Sequence, residues 1–415
     1  MNILILKNIS YRFICLTGIV NIYIDISYLL YRFRHYKPYI NQTALLIMQT
    51  PNQFNSIVPL YKSFKESGIL KPIILVTGFK HDLNLMNQKN DCIVLLSKMS
   101  IEYIVDRVNI IEKEAPAVVI YFSPYDSTRS IKLHSRWVRK FTQIQCYVPY
   151  GFEIVKTRYL TRMNFKEAFY KNINLIIARS YSHKQMYIKY GRINPNYILV
   201  TGNPRFDYLR EYTTNESKTA IEYISQEGKQ TYLWNPHWSI IPGILSWSSF
   251  FVYYDTIINY FVKNPDKLLI IRPHPHFWGA IKKLWDSNRI YEFETITRKY
   301  PNILIDRSGD YSWLLKIIDI LLSDPSSLIM EFLPTQKPIC VLIKDDKVKF
   351  NDDGALINYL YTVRTNEELK SVLEFLSNGN DPKKDKRYYA IKEFIYEPYT
   401  SCSDRIVNYI IDKYK

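Results

Sequence analysis

The chain has 415 residues, enough for two domains with full cores, and its 47% hydrophobic and 23% charged content excludes a disordered protein. Lys and Arg outnumber Asp and Glu by 55 to 39, a formal net charge of +16 that implies an anionic partner. Without zinc-finger spacing, an RNP-type sequence or a basic helical stripe, nucleic acid is a poor fit. An anionic membrane surface together with a phosphorylated substrate is a better one.

At the N-terminus there is no basic n-region and no small-residue cleavage site, so no signal peptide is expected. Residues 9–31 are apolar but contain Arg12 and Asp25, which predicts an interfacial or docked helix rather than a transmembrane one. Tyr31-Arg32-Phe33-Arg34-His35-Tyr36-Lys37 interleaves basic and aromatic residues, a mixture suited to anionic headgroups. These features predict a cytoplasmic protein, peripheral on the inner face of the cell membrane. The five cysteines (Cys15, Cys92, Cys146, Cys340, Cys402) form no C-x-x-C pair and read as buried thiols of a reducing compartment.

From Thr43 strands and helices alternate. Residues 44–48, 72–76, 92–96 and 117–121 read as strands, and 52–67, 101–114 and 131–140 as helices. Strand patterns at 174–178 and 197–200 complete a Rossmann-like first domain, with Pro149-Tyr150-Gly151 at a strand end and Asp126 at another. Thr201-Gly202-Asn203-Pro204-Arg205-Phe206-Asp207 closes that half, leaving Arg205 and Asp207 at a domain junction. Polar tracts at 213–218 and 225–230 mark a linker region. The alternation then resumes: a strand at 231–234, a long helix at 250–262, strands at 267–271, 317–322 and 338–343, a Lys-rich loop (Lys383, Lys384, Lys386, Arg387) and a helix at 403–415. The predicted domains are 1–40 (membrane-proximal), 41–210 (acceptor), 211–395 (nucleotide donor) and 396–415 (C-terminal helix).

Two strand ends in the second half carry chemistry. The apolar run to Leu322 ends in Ser323-Asp324-Pro325-Ser326-Ser327 and opens into a helix, so backbone N–H groups, two hydroxyls and a positive helix end favour a phosphate. The run 267–271 ends in Arg272-Pro273-His274-Pro275-His276, where the prolines fix the direction of an Arg fork and an imidazole. Together they predict a diphosphate held between them, beyond the carboxyl ends of the strands. With no D-x-D triplet and no His or Cys cluster at ligand spacing, neither a catalytic metal nor a cofactor is expected.

Four stretches, taken in order, resemble motifs of the CDP-glycerol:poly(glycerophosphate) glycerophosphotransferase family of teichoic-acid and capsule synthesis. Gly202-Asn203-Pro204-Arg205-Phe206-Asp207 resembles its G-x-P-R-x-D, and Asn235-Pro236-His237-Trp238 its A-P-T-W-R. Arg272-Pro273-His274-Pro275 resembles its K/R-P-H-P, and Ser323-Asp324-Pro325-Ser326-Ser327 with Glu331-Phe332 its T-D-Y-S-S followed by D-F. Ser401 to Ile406 is similar to a segment that opens the family's last helix.

The resemblance implies an α/β, GT-B-like fold: two Rossmann-like domains facing a cleft, with the C-terminal helix packing back. It implies attack of an acceptor hydroxyl on the β-phosphorus of a CDP-activated donor, CDP-glycerol or another CDP-polyol, with release of CMP. The acceptor would be a glycan or polyol-phosphate polymer, lipid-linked. Arg272, His274, Ser326, Ser327, Glu331 and Asp324 would hold the donor, and His237, Tyr150 and His274 are the catalytic candidates. Gly151, Arg205 and Asp207 would lie between the domains. Two departures stand out. Tyr150 occupies the place of the family's first-domain His, and Ser239 that of an Arg. The general base is therefore open among Tyr150, His237, Glu153 and Asp126. A GT-B glycosyltransferase using a nucleotide sugar, and a non-catalytic member of a polymer-assembly complex, are the alternative readings.

Overall fold

The computed structural model describes residues 18–34, 41–211, 224, 228–243, 245–308 and 311–415. Cys15, His35, Lys37 and the polar tract 213–218 lie outside the described residues. The chain divides into two compact units, Met1–Tyr150 with Arg158–Tyr208 and Tyr396–Lys415, and Gly151–Thr157 with Leu209–Ile395.

The first unit is built on a seven-stranded sheet. Its strands are β1 (Asn41–Met48), β2 (Lys71–Val76), β3 (Tyr103–Val105), β4 (Pro116–Tyr121), β5 (Ile144–Tyr147), β6 (Leu175–Ala178) and β7 (Ile198–Val200). They run parallel in the order β3-β2-β1-β4-β5-β6-β7. Leu45, Leu46, Ile74, Leu75, Val118 and Val119 are all buried, as expected of parallel strands covered on both faces.

The predicted strand at 92–96 is instead part of the helix Leu83–Lys98, which Asp82 caps by accepting the N–H groups of Asn84 and Leu85 at 3.1 and 3.2 Å. Cys92 and Leu96 are buried one helical turn apart while Val94 is 54% exposed, so the run of apolar letters hid a helical period. The predicted helix at 101–114 is β3 followed by a short helix Ile110–Glu114, and that at 131–140 is a 3-10 turn, Ile131–Leu133, followed by Ser135–Val138.

Two outer helices complete this unit. The C-terminal helix Cys402–Tyr414 packs back on the helix Phe54–Ser67, burying Ile406, Val407, Ile410 and Ile411, with Ser63 Oγ donating to Asp404 at 2.7 Å. Its first turn is capped by Asp207, whose carboxylate accepts from Cys402 N–H (2.9 Å), Ser403 N–H (2.7 Å) and Ser403 Oγ (2.7 Å). The helix Ile19–Arg34 docks through buried Val20 and Ile24, and Tyr28 and Tyr31 meet Trp137 and Phe141 edge-on. Asp25 pairs with Arg136 (2.5 Å) and Lys140 (2.9 Å). Among the described residues no helix is long and apolar enough to cross a membrane.

The second unit carries a six-stranded parallel sheet. Its strands are β8 (Gln230–Asn235), β9 (Lys267–Ile271), β10 (Ile303–Ile305), β11 (Ile320–Ser323), β12 (Ile339–Leu342) and β13 (Tyr361–Val363), in the order β10-β9-β8-β11-β12-β13. The three-residue strands β10 and β13 were not anticipated. Nor is the Lys-rich stretch a loop. It opens the helix Lys384–Phe394, in which Arg387 is fully buried, donating to Gln336 O at 3.0 and 2.8 Å and pairing with Asp381. The segment Gly151–Thr157 joins this unit through Lys156 N–H to Lys349 O (2.7 Å) and Asn351 N–H to Ile154 O (2.9 Å).

Candidate functional site

In the second sheet the chain runs from β8 outward to β9 and β10, then returns to the other side of β8 as β11. The switch point of this open sheet therefore lies between β8 and β11, where ligands of such sheets bind. Three strand ends meet there: Asn235 closes β8, Arg272 follows β9, and Ser323 closes β11. Asn235 joins them. Its Nδ2 donates to Arg272 O at 2.8 Å, and its Oδ1 accepts from Ser326 Oγ at 3.1 Å.

Ser326, in extended conformation, precedes the helix Ser327–Phe332 but makes no side-chain cap bond. Its hydroxyl is turned to Asn235 and to Ser323 Oγ (3.1 Å). The helix is only six residues long, so its positive end adds little, and Ser326 and Ser327, both half-buried, are the polar groups on offer.

Asp324, expected among the donor contacts, faces inward. It is fully buried and accepts from His237 N–H (2.7 Å), Ser248 Oγ (2.9 Å), Ser249 N–H (3.0 Å) and Ser249 Oγ. Burial pushes its carboxyl up to about 6 against those bonds, so it is ionised at neutral pH. Its work is to pin the His237 loop and the start of the helix Phe250–Lys263 to β11.

The two imidazoles are defined by their neighbours. His237 Nδ1 accepts the backbone N–H of Ser239 (3.2 Å) and lies 2.8 Å from Ser239 Oγ. His274 Nδ1 accepts the backbone N–H of His276 (3.2 Å). A backbone N–H bonds only to an unprotonated ring nitrogen, so each neutral ring carries its proton on Nε2. Burial and His274 bring His237 down to about 3; burial, His276 and Arg272 bring His274 down to about 4. Both rings, 5.9 Å apart between centroids, are thus neutral N–H donors at neutral pH. His237 was a candidate base, and this tautomer takes the Nε2 lone pair away from it. Trp238 and Trp247 flank the pair, with ring centroids 5.4 and 4.7 Å from His237.

Arg272 pairs with Asp306, donates to Ser308 Oγ (3.2 Å) and Ser308 O (2.9 Å), and lies over the Tyr311 ring at 5.1 Å. The Tyr311 hydroxyl donates to Glu331, which is buried at the base of the same cluster. Asp306, Tyr311, Ser248 and Ser249 are the members that sequence reasoning missed, and Asn235 was quoted in a motif but given no role. Of the other named residues, most belong to the first unit. Tyr150, Arg205 and Asp207 belong to the first unit, where Arg205 donates to Asn52 O at 2.5 Å and Asp207 caps the last helix. Gly151 opens the short segment that joins the second. Asp126 accepts from Ser135 N–H (3.0 Å) and Ser135 Oγ (2.6 Å). Among the described residues no group of three or more His, Cys, Asp and Glu side chains is placed to hold a metal ion.

Residues 149–412 match the family described as CDP-glycerol:poly(glycerophosphate) glycerophosphotransferase. The chain belongs to that family. No curated protein is significantly similar to it in sequence. Among solved structures, the wall teichoic acid polymerase TagF is similar at 14% identity and TM-score 0.60, over 99% of this chain and 98% of that one. A TagF structure with CDPG gives TM-score 0.61 at 14% identity, over 99% and 98%. A UDP-GlcNAc 2-epimerase from Neisseria meningitidis bound to UDP-GlcNAc gives TM-score 0.61 at 14% identity, over 89% of this chain and 100% of that one. These likenesses show the GT-B fold.

Within this glycerophosphotransferase-family chain His237 and Ser239 are directly bonded. Ser239, 2% exposed, directs both its N–H and its hydroxyl at His237 Nδ1. Ser239 Oγ also accepts Trp247 N–H at 3.2 Å.

Proposed function

We propose that the chain transfers glycerol phosphate, or another polyol phosphate, from a CDP-activated donor to a hydroxyl of a cell-surface polymer or glycan, releasing CMP. The observation that carries this reading is the convergence of Arg272, neutral His237 and neutral His274 at the switch point of the second sheet. In the reaction the acceptor oxygen bonds to the β-phosphorus, the bond from that phosphorus to the oxygen bridging to CMP breaks, and CMP leaves with that oxygen. The hydroxyl proton is lost from the acceptor. Phosphoryl transfer asks mainly for positioning and charge stabilisation, and that is what N–H donors and a guanidinium supply. Arg272 exchanges Asp306 and Ser308 for the diphosphate, and the His237 and His274 Nε2–H groups donate to its oxygens. Ser326 and Ser327 hold the far phosphate, while Glu331, through Tyr311, keeps the Arg272 platform in place. The base is one of the remaining candidates, Tyr150, Glu153 and Asp126.

The acceptor is lipid-linked in this reading, and the helix Ile19–Arg34 lies on the inner face of an anionic membrane. Its docked face is matched by an outward stripe of Ile22, Ile26, Leu29, Leu30 and Phe33, and the chain as a whole carries a net charge of +16.

The test is thermal shift with CDP-glycerol, CDP-ribitol and a panel of nucleotide sugars, followed by CMP release in the presence of membranes. Stabilisation by a CDP-polyol that Arg272→Ala loses is the expected result. Stabilisation by UDP- or GDP-sugars alone would make it a glycosyltransferase. No shift from any donor, with a folded protein, would make it a non-catalytic member of an assembly complex.

A further inference from the structure

The two imidazoles at the second sheet's switch point receive the same backbone bond, at 3.2 Å from the N–H two residues on, but they are not held alike. Among the described residues the N–H of exposed His276 is the one hydrogen bond to the His274 ring. His237 has a second. Ser239 Oγ lies 2.8 Å from its Nδ1, and because Nδ1 already accepts the Ser239 N–H, the hydroxyl is the donor. The hydroxyl oxygen in turn accepts Trp247 N–H at 3.2 Å. A chain of donors thus runs from the Trp247 backbone through Ser239 to the imidazole. Each link polarises the next, which strengthens the Nε2–H at its far end as a donor.

Both ends of this chain are anchored to one carboxylate. Asp324 accepts His237 N–H at 2.7 Å and, just beyond Trp247, Ser248 Oγ at 2.9 Å and Ser249 N–H at 3.0 Å. Ser239 is 2% exposed and Trp247 8%, so water does not compete for the bonds between them. The Trp247 ring lies 4.7 Å from the imidazole and is inclined to it by 33°, a neighbour against which the ring cannot turn freely. Anchoring the backbone would fix only the start of the side chain; the hydroxyl fixes which nitrogen faces outward.

Phosphoryl transfer places charge on phosphate oxygens, and a donor aimed beforehand needs no reorganisation when it is used. We propose that Ser239 is a positioning residue of the donor site, holding His237 as a fixed Nε2–H donor to the diphosphate, while His274 is held independently of it. This role rests on the transferase reading above.

The test joins a spectroscopic signature to a double-mutant cycle on the full chain. Nitrogen NMR of the histidine-labelled protein, with His237 identified by its loss in His237→Gln, should show a single Nε2–H tautomer in the wild type. Ser239→Ala should bring in the Nδ1–H tautomer of His237 and leave that of His274 unchanged. By calorimetry Ser239→Ala should weaken CDP-glycerol about ten-fold in the wild-type background and less than about two-fold beside His237→Gln. Equal losses in the two backgrounds, or both histidines changing together, would mean that Ser239 only supports the local fold and would overturn the proposal. An unchanged His237 signal in Ser239→Ala overturns it as well. If no CDP-polyol binds the wild-type chain, the transferase reading falls, and the histidine spectrum alone decides whether Ser239 orients the ring.

Discussion

Arg272 is held by a carboxylate on one side and an aromatic face on the other, so its shape matters as much as its charge. Replacing it by Lys keeps the charge but loses the planar fork and the stacking on Tyr311. Arg272→Lys should therefore lose nearly as much CDP-glycerol affinity as Arg272→Ala, about 2 kcal/mol or roughly 30-fold, by calorimetry. Full rescue by Lys would mean a point charge suffices. His237 supplies a pH signature. Its folded value, about 3, lies below the ordinary histidine range near 6.5, so between these values the unfolded chain binds the extra proton. That contribution to stability is present above pH 6.5 and is lost as pH falls toward 3. The wild-type midpoint should thus drop more steeply than that of His237→Gln between pH 6.5 and 4, measured by thermal unfolding. Parallel curves would show that the ring is solvated. In the sequence, Arg272 and His274 were legible because prolines bracket them at a strand end. Asp306 and Tyr311 were not, since they come from the loop after a three-residue strand that no apolar run announced. The inward role of Asp324 was hidden for a related reason. Ser248 and Ser249, which fill its oxygens, lie some seventy-five residues away in the chain.

Elements were legible where length and burial agreed. The long apolar strands of both sheets stood out, whereas β3, β10 and β13, three residues each, fall below what a periodic pattern can resolve. The run at Cys92 went the other way because its Val94 faces solvent although the letters are apolar. The helix Ile19–Arg34 shows what two opposed faces can do. Its Asp25 and Tyr28 bind it to the first unit, which frees Leu29 (64% exposed) and Phe33 (95% exposed) to meet something apolar. Leu29→Glu with Phe33→Glu should leave the unfolding midpoint within the small range of surface changes and abolish co-sedimentation with anionic phosphatidylglycerol vesicles. Unchanged sedimentation would remove this helix from the membrane reading. At the other terminus, Asp207→Ala leaves the N–H groups of Cys402 and Ser403 without their shared carboxylate. A cost of about 1–2 kcal/mol is expected in chemical denaturation, carried by the unit that holds the last helix.

At the scale of the molecule, the first unit is discontinuous: it is completed by residues 396–415, which follow the entire second unit in the chain. Removing residues 400–415 uncovers the helix Phe54–Ser67 and takes away four buried aliphatic side chains, Ile406, Val407, Ile410 and Ile411. At about 1.5–3 kcal/mol each, these amount to roughly 6–12 kcal/mol. That is comparable with the total stability of about 5–15 kcal/mol typical of a domain, so the first unit should not fold without its last helix. The second unit keeps every strand of its sheet and every residue of the switch-point cluster, since these lie within 209–395. The truncated chain should therefore lose helical signal in circular dichroism and yet retain a CDP-glycerol-dependent thermal transition, with the proteolytically stable fragment mapping to the second unit. Loss of the donor response from a fragment that still resists protease would mean that groups of the first unit complete the donor site.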